Sequence, residues 1–498
     1  MRRRTARRST TRSKRQKSEV IVIGAGLAGL ACAYELAKRR HDVVVLEARN
    51  RVGGRIETLR KPFSKNFFAE AGAYWLNDRH TVAMGYIKEL GLNSMLVSVA
   101  LEDAYLLCHI RDTRVQAHLA PTDSWPSTLQ LLPIEQQMGL GAILWSIFGD
   151  RDIVGDPRDP GWPTQDVVNK YGGMNFLEFL RSGHRVFNPT TRTYHDYTPS
   201  SGAIELIRPW FAWWDDLDKL SALAMIQYGV TGQRLIEPRE SPAIWYRTKK
   251  GMDQFPLKFE SKLKNQRHVR IYKQSPVVAV KQSAESVIVT YRSPSGQRKD
   301  LHGDYVVSAV PLSTLRKIRV TPSLSPSKRS LMEEVGYASI ARAYVQCKKP
   351  ITDMANGAGY TDLPIGNLLD MSFRLKVGPG RLLQGFMIGE QARRFTSMNE
   401  KKKRAFTLEQ MRIVFPQLED RDVERFAYKC WDKDPWAQGA YPMYSPFQFI
   451  AAEELGRSEG RLHFAGEHTS QLSAWMDGAL RSGIRAAREI DPAIPARA

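Results

Sequence analysis

Gly24, Gly26 and Gly29, in the run Gly24-Ala25-Gly26-Leu27-Ala28-Gly29, are suited to holding a phosphate group. Gly24 permits a tight turn, Gly26 lets the backbone approach a pyrophosphate, and Gly29 lets a helix lie against a strand. Glu47 falls where a carboxylate accepts hydrogen bonds from a ribose hydroxyl. That chemistry needs particular elements to position it. Val20 to Ile23 is short and β-branched, as a strand is, and 27–39 reads as a helix. Val43 to Leu46 reads as a second strand that ends in the acid. A lone glycine motif is weak, but strand, glycine turn, helix, strand and acid in this order is a strong dinucleotide signal. The helix start would offer free N–H groups and the positive end of a dipole to the phosphates.

Arg51-Val52-Gly53-Gly54-Arg55 follows, and its two glycines and arginine add phosphate contacts that suit a long, buried FAD. With an acid and no base at position 47, a 2′-phosphate and hence NADP is disfavoured. The small residues Ala71, Gly72 and Ala73 would let the backbone pass close to a ribityl chain or ring. Near the C-terminus, 463–467 reads as a strand ending in Gly466 and Glu467, and 475–490 as a helix. A helix start aimed at a flavin pyrimidine would stabilise negative charge on the reduced ring.

With 498 residues, 42% of them hydrophobic and 25% charged, the chain has the composition of a soluble globular protein of two or three domains. It holds no uninterrupted apolar span of transmembrane length. Cys32, Cys108, Cys347 and Cys430 are scattered without metal-like pairing, so no metal is expected and the thiols read as reduced in a cytoplasmic protein. Residues 1–17 carry nine Lys or Arg and no acid, and taking those nine from the net +21 still leaves +12 on the body. This basic tail should be disordered. It has no interleaved aromatics to stack bases, so nucleic acid is not an expected partner. The basic body could steer anionic substrates such as amino acids.

Further along, 80–90 reads as a helix stopped by Gly91, and helical patterns cover 174–182 and 202–227. Tryptophans at 125, 145, 162, 210, 213, 214 and 245 read mainly as core. Asp253 opens a helix as an N-terminal anion. Strand patterns recur at 269–272, 277–281, 287–291 and 306–310, then at 344–347, 368–371 and 382–388, with a helix over 401–414.

These motifs together resemble the flavin monoamine oxidase family, which includes monoamine, polyamine and L-amino acid oxidases. The resemblance rests on IVIGAGLAGLACAYEL, LEARNRVGGR, AEAGA, GMDQFP, VVSAVPLSTLRKI, WDKDPWAQGAYPMY and LHFAGEHTSQLSAWMDGALRSGIRAA. It implies an α/β fold: a Rossmann-like, two-dinucleotide FAD-binding domain assembled from residues 18–94, 246–322 and 426–498, and a mixed sheet-and-helix substrate domain from 95–245 and 323–425. It implies that Val278 holds the adenine through its backbone, and that Glu467 meets the diphosphate–ribityl region. The main chain near Met476 would meet the ring, and Leu27, Ala28, Ala48, Arg49, Tyr74, Trp436 and Ala479 would join the cofactor contacts. Tyr441 and Trp475 match the aromatic pair that flanks the substrate amine, where electron-rich faces favour the nitrogen. Lys317 matches a lysine that holds a water near flavin N5, and a one-residue slip would put Arg316 there instead. Ala440 stands where some relatives have the cysteine that bonds the flavin, and Cys430 is no substitute, so FAD is expected to be non-covalent.

One departure bears on the substrate. Many L-amino acid oxidases have a carboxylate-clamping arginine where this chain has Trp75. Either the substrate is an amine without a carboxylate, or another arginine clamps it, with Arg79 and Arg481 as candidates. The implied reaction is hydride transfer from the α-carbon of an amine or L-amino acid to flavin N5. An imine forms and is hydrolysed, and O2 is reduced to H2O2. A flavin-dependent desaturase or ring-forming oxidase is the alternative. A chromatin-type reader has no extra helical domain to support it, and a homodimer stays open.

Overall fold

The computed structural model describes residues 17–497, apart from 65, 100–105, 118–124, 138–142, 144–154, 156–160, 189–192, 212–216, 229–243, 352–357 and 376. Its organising element is a five-stranded parallel sheet in the order Val269–Tyr272, Asp42–Leu46, Glu19–Ile23, Tyr305–Ser308 and Leu462–Phe464. Strands distant in sequence therefore lie side by side, and all three expected cofactor segments contribute to it. The inner runs Val20 to Ile23 and Val43 to Leu46 are continuously apolar because both faces are covered. Val20, Val22, Val43 and Val45 pack under the helices Leu27–Lys38 and Met476–Ile490. Ile21, Ile23, Val44 and Leu46 face the other way, onto Val280, Val287 and Val289 of a second sheet. That alternation is the two-residue period of a strand. The two helices cross closely at Gly483, where a Cβ would come within 2.1 Å of the Ala28 carbonyl oxygen.

A seven-stranded sheet forms the other half. Its order is Val423–Cys430, Ile340–Cys347, Arg381–Ile388, Asn367–Asp370, Ala358–Thr361, Leu106–Ile110 and Thr113–Ala117. The parallel pairing of Gly359 with Leu107 joins the two expected substrate segments. Two expected boundaries fall inside strands. Val423–Cys430 pairs along Ile340–Cys347, so this sheet runs on past 425. Trp245–Thr248 straddles 245 and pairs with Leu76–Asn77 and Leu96–Val99. Turn residues mark where a chain bends, whereas strand pairing decides which sheet a segment joins.

The pattern over 202–227 is broken. Ser201–Ile207 is a helix, Arg208–Phe211 tightens into a 3-10 turn at Pro209, and Ala222–Gln227 is a second helix. Proline lacks the N–H needed to continue the ladder. Residues 1–16, Trp145, Trp213 and Trp214 lie outside the described residues. Asp253 precedes the helix Gln254–Lys264 but does not cap it. Its carboxylate takes both arms of Arg60, at 2.6 and 2.9 Å. Among the described residues no helix is long and apolar enough to cross a membrane, and no group of three or more His, Cys, Asp or Glu could hold a metal ion.

Candidate active site

The glycine turn is a rigid cradle with one open side. Gly24 has φ +99° and its N–H donates to the Leu46 carbonyl at 2.8 Å. A Cβ at Gly29 would lie 2.0 Å from the Gly24 carbonyl oxygen, so only glycine lets helix and turn touch. A Cβ at Gly26 would meet nothing within 4 Å, and Gly54 faces it across the gap. The helix Leu27–Lys38 has no side-chain cap and no acid in its first turn. Its leading N–H groups and dipole end are thus left to a ligand, as a diphosphate requires. The buried Glu47 carboxylate accepts the N–H groups of Ala25 and Arg49 at 2.8 Å each, which locks it to the turn.

Beyond Glu47 an open cleft of about 540 Å³ is lined by Ala48, Arg49, Gln274, Pro276, Arg292 and Trp436, among others. Arg49 is anchored by Asp434 at 2.5 Å. Val278 is skipped in the strand pairing, because Val277 faces Tyr291 and Ala279 faces Thr290. A bulge residue of this kind has backbone groups free of the ladder, which suits an adenine edge.

The turn after Glu70 sits beside Arg55. A Cβ at Gly72 would approach the Arg55 carbonyl oxygen to 1.8 Å, and the Ala73 N–H donates to that oxygen at 3.2 Å. The turn's own carbonyls are held from the seven-stranded sheet and the segment after it. Arg342 donates to Glu70 and Gly72 at 2.6 Å each, Tyr344 to Glu70 at 2.7 Å, and Trp431 to Ala71 at 2.8 Å. The Glu70 carboxyl accepts from Met252 N–H and Thr58, yet burial pushes its pKa up to about 7.

Arg55 links this turn to the C-terminal elements. It donates to the Ala440 carbonyl at 2.5 Å and to Glu467 at 2.7 Å. Burial works against the Glu467 charge, but Arg55, His468 and the Ala474 N–H hold its carboxyl below the usual range. Glu467 also takes the Ser473 hydroxyl at 2.9 Å. It therefore orients Arg55 and the loop before Trp475. Gly466, at φ +132°, is packed against the His468 ring, whose pKa burial lowers to about 4.

Trp475 immediately precedes the helix Met476–Ile490 and is half-buried. It lies 4.9 Å from the His80 ring, 5.8 Å from Tyr228 and 5.9 Å from Trp245. Trp245 meets Trp75 edge-on at 6.1 Å, and Trp75 leans on Tyr74 at 5.1 Å. Trp75 and Trp475 thus belong to one aromatic cluster, with Met476 buried behind and Ala479 half-buried on the next turn of the helix. Tyr441 follows Ala440, and its carbonyl accepts from Ala338 at 2.9 Å.

Lys317 is a correction. It is exposed, two residues past the short helix Leu312–Leu315. Arg316 folds back onto the Met332 and Val335 carbonyls, so a one-residue slip does not rescue the assignment. Arg481 is committed to Asp477 at 2.6 Å and Thr81 at 2.7 Å, and Arg79 is only half-buried. The buried cations beside the turn are Arg342 and Arg247, both 5% exposed. Arg342 had a signal in the sequence: a charge in the middle of Ile340–Cys347, a strand buried at every position. Trp245, read as core, and His80 and Tyr228 complete the cluster.

Comparison with known proteins agrees with this geometry. The sequence profile of the flavin-containing amine oxidoreductases matches residues 27–491. An L-amino-acid oxidase of Gloydius halys is 25% identical over 485 residues, covering 95% of this chain and 89% of the relative. One from Crotalus adamanteus is 26% identical over 488 residues, covering 95% and 87%. Cyclohexylamine oxidase from Brevibacterium oxydans superposes with a TM-score of 0.74 at 20% identity, over 95% of this chain and 99% of that one. Putrescine oxidase bound to putrescine gives 0.73 at 18% identity, over 95% and 99%. With its uncapped cradle, its parallel and seven-stranded sheets and a profile match over nearly its whole length, the chain belongs to the flavin-containing amine oxidoreductases, whose flavin is FAD.

Proposed function

We propose that the protein oxidatively deaminates a primary amine or an L-amino acid, with O2 as electron acceptor and H2O2 as product. The observation that carries this is the unbroken run of contacts from cradle to aromatic cluster: Gly26 faces Gly54, Arg55 bonds Ala440 and Glu467, and Glu467 bonds the residue before Trp475. Bound FAD would supply the hydride acceptor and its reoxidation by O2. The start of Leu27–Lys38 and Arg55 would take its diphosphate, Glu47 a ribose hydroxyl, and the Val278 bulge the adenine. The turn Ala71-Gly72-Ala73 would lie along the ring, and the first turn of Met476–Ile490 would stabilise negative charge there.

Tyr441 and Trp475 would flank the amine and orient its α-carbon. Trp75 and Trp245 would wall the slot and keep water out. Ala440 offers no thiol, so the cofactor is held without a covalent bond and should be released on denaturation. Peroxide release from a panel of amines and L-amino acids tests the reading. A silent panel with FAD bound would sink it.

A further inference from the structure

We propose that Arg342 and Arg247 form a carboxylate subsite around Tyr74, so that the substrate is an α-amino acid and not a plain amine. This rests on the oxidase reading above and names its substrate class. The two guanidiniums lie 5.4 and 5.7 Å from the centre of the Tyr74 ring. Arg247 also lies 5.8 Å from the Trp75 ring. It shares a strand face with Trp245, two residues earlier, because side chains repeat every second residue. Trp245 in turn touches Trp475. The pair therefore stands directly behind the aromatic cluster.

Neither guanidinium has a carboxylate ion-pair partner among the described residues. Their hydrogen bonds go to main-chain carbonyls: Arg342 to Glu70 and Gly72, Arg247 to Met371 at 2.5 Å and more weakly to Asp370. The nearby acids are used elsewhere. Glu70 accepts from Met252 and Thr58, and Asp370 faces Arg381 at 3.2 Å and accepts from Ser372. The Arg342 Nε–H is buried with no acceptor. A permanent cation with an unmet buried donor is costly, and a ligand carboxylate at that donor would remove the cost. The planar fork of a guanidinium matches a carboxylate. Trp75 occupies the position at which the family resemblance predicts a clamping arginine. Here the charge arrives from behind it, on Trp245–Thr248, and from the seven-stranded sheet, on Ile340–Cys347.

The test uses FAD-loaded protein and 3-phenylpropionate, a carboxylate with no amine to oxidise. Binding is followed by the flavin absorbance and by calorimetry. In parallel, kcat/KM is measured for L-phenylalanine and for phenethylamine. Arg342→Met should weaken probe binding roughly 10- to 100-fold. It should lower kcat/KM for the amino acid at least about tenfold more than for the amine, whose own loss reports the slackening of the turn that Arg342 holds. Arg342→Lys keeps the charge but lacks the Nε–H, and should fall between. It is read together with Arg247→Met if the methionine variant at 342 does not fold. Probe binding indifferent to all three changes, or equal losses for acid and amine, would overturn the subsite. Peroxide from amines but never from amino acids would also overturn it while leaving the oxidase reading intact. Arginine-dependent probe binding without peroxide from any compound would uphold the subsite and reject that reading.

Discussion

The parallel sheet and the seven-stranded sheet meet at the same turn, residues 70–73, but they hold it by different means. From the cofactor side the contact is backbone against backbone, Gly72 against Arg55, of the same kind that joins Gly29 to Gly24 and Gly483 to Ala28 within that half. From the other side it is long buried side chains, Arg342, Tyr344 and Trp431, reaching over to donate to carbonyls. Backbone contacts of that closeness have no slack, because a Cβ cannot rotate away. Side-chain donors can be trimmed one at a time, each at a modest cost. One half of the site should therefore fail sharply on substitution and the other by degrees.

The sharpest test of that contrast is Gly72→Val against Gly26→Ala. A side chain at 72 would drive into the Arg55 carbonyl, with an expected loss of about 4 kcal/mol or more and no soluble flavin-bound protein. At 26 a methyl group meets no protein atom, so thermal unfolding of the apoprotein should move by less than about 1 kcal/mol. Flavin affinity should still fall, because the methyl fills the diphosphate's approach. Equal damage from both would erase the distinction between packing glycine and ligand glycine.

Next in size is Arg55→Met, which strands Glu467. The Arg55 side chain is 22% exposed, so the expected cost is about 2–4 kcal/mol, below that of a fully sealed pair. Adding Glu467→Gln should recover part of it, and a double-mutant cycle by denaturant unfolding would measure the coupling. Strict additivity would mean the pair is incidental.

The pH dependence sets Glu70, in the turn, against His468, in the cofactor half. The Glu70 pKa is raised from 4.5 to about 7. Its stabilising contribution is complete below pH 4.5 and is lost as pH rises through 7. The His468 pKa is lowered from 6.5 to about 4. Its contribution is present above pH 6.5 and lost as pH falls through 4. Each is worth on the order of 3 kcal/mol, and the two nearly cancel between pH 4.5 and 6.5. Glu70→Gln should leave stability climbing with pH across that window, and His468→Gln should leave it falling. Parallel curves for parent and both variants would contradict the assignment. The smallest expected effect is Lys317→Ala: a change within about 0.5 kcal/mol in stability and within about twofold in turnover, as for an exposed lysine.

Some of this was legible from residues alone because its causes are local. Gly24 and Gly29 are demanded by the conformation and closeness of a single turn. Glu47 ends the very strand whose neighbour feeds that turn, and 476–490 shows its buried stripe at helical spacing. Such features need only stereochemistry and nearest neighbours along the chain. Lys317 shows the limit: a basic residue within a matching motif that the fold leaves exposed, just past the short helix Leu312–Leu315. The break at Pro209 and the strands crossing positions 245 and 425 show it as well.

What needed the folded molecule was the choice of partners across long stretches of chain. Arg342 lies some 270 positions from the carbonyls it binds. Its inward aim follows from the register of Ile340–Cys347 between Arg381–Ile388 and Val423–Cys430. A shift of one residue would have sent it to the opposite face of the sheet. Local chemistry settled the cradle; strand register, which no short stretch encodes, settled which charges and rings stand before it.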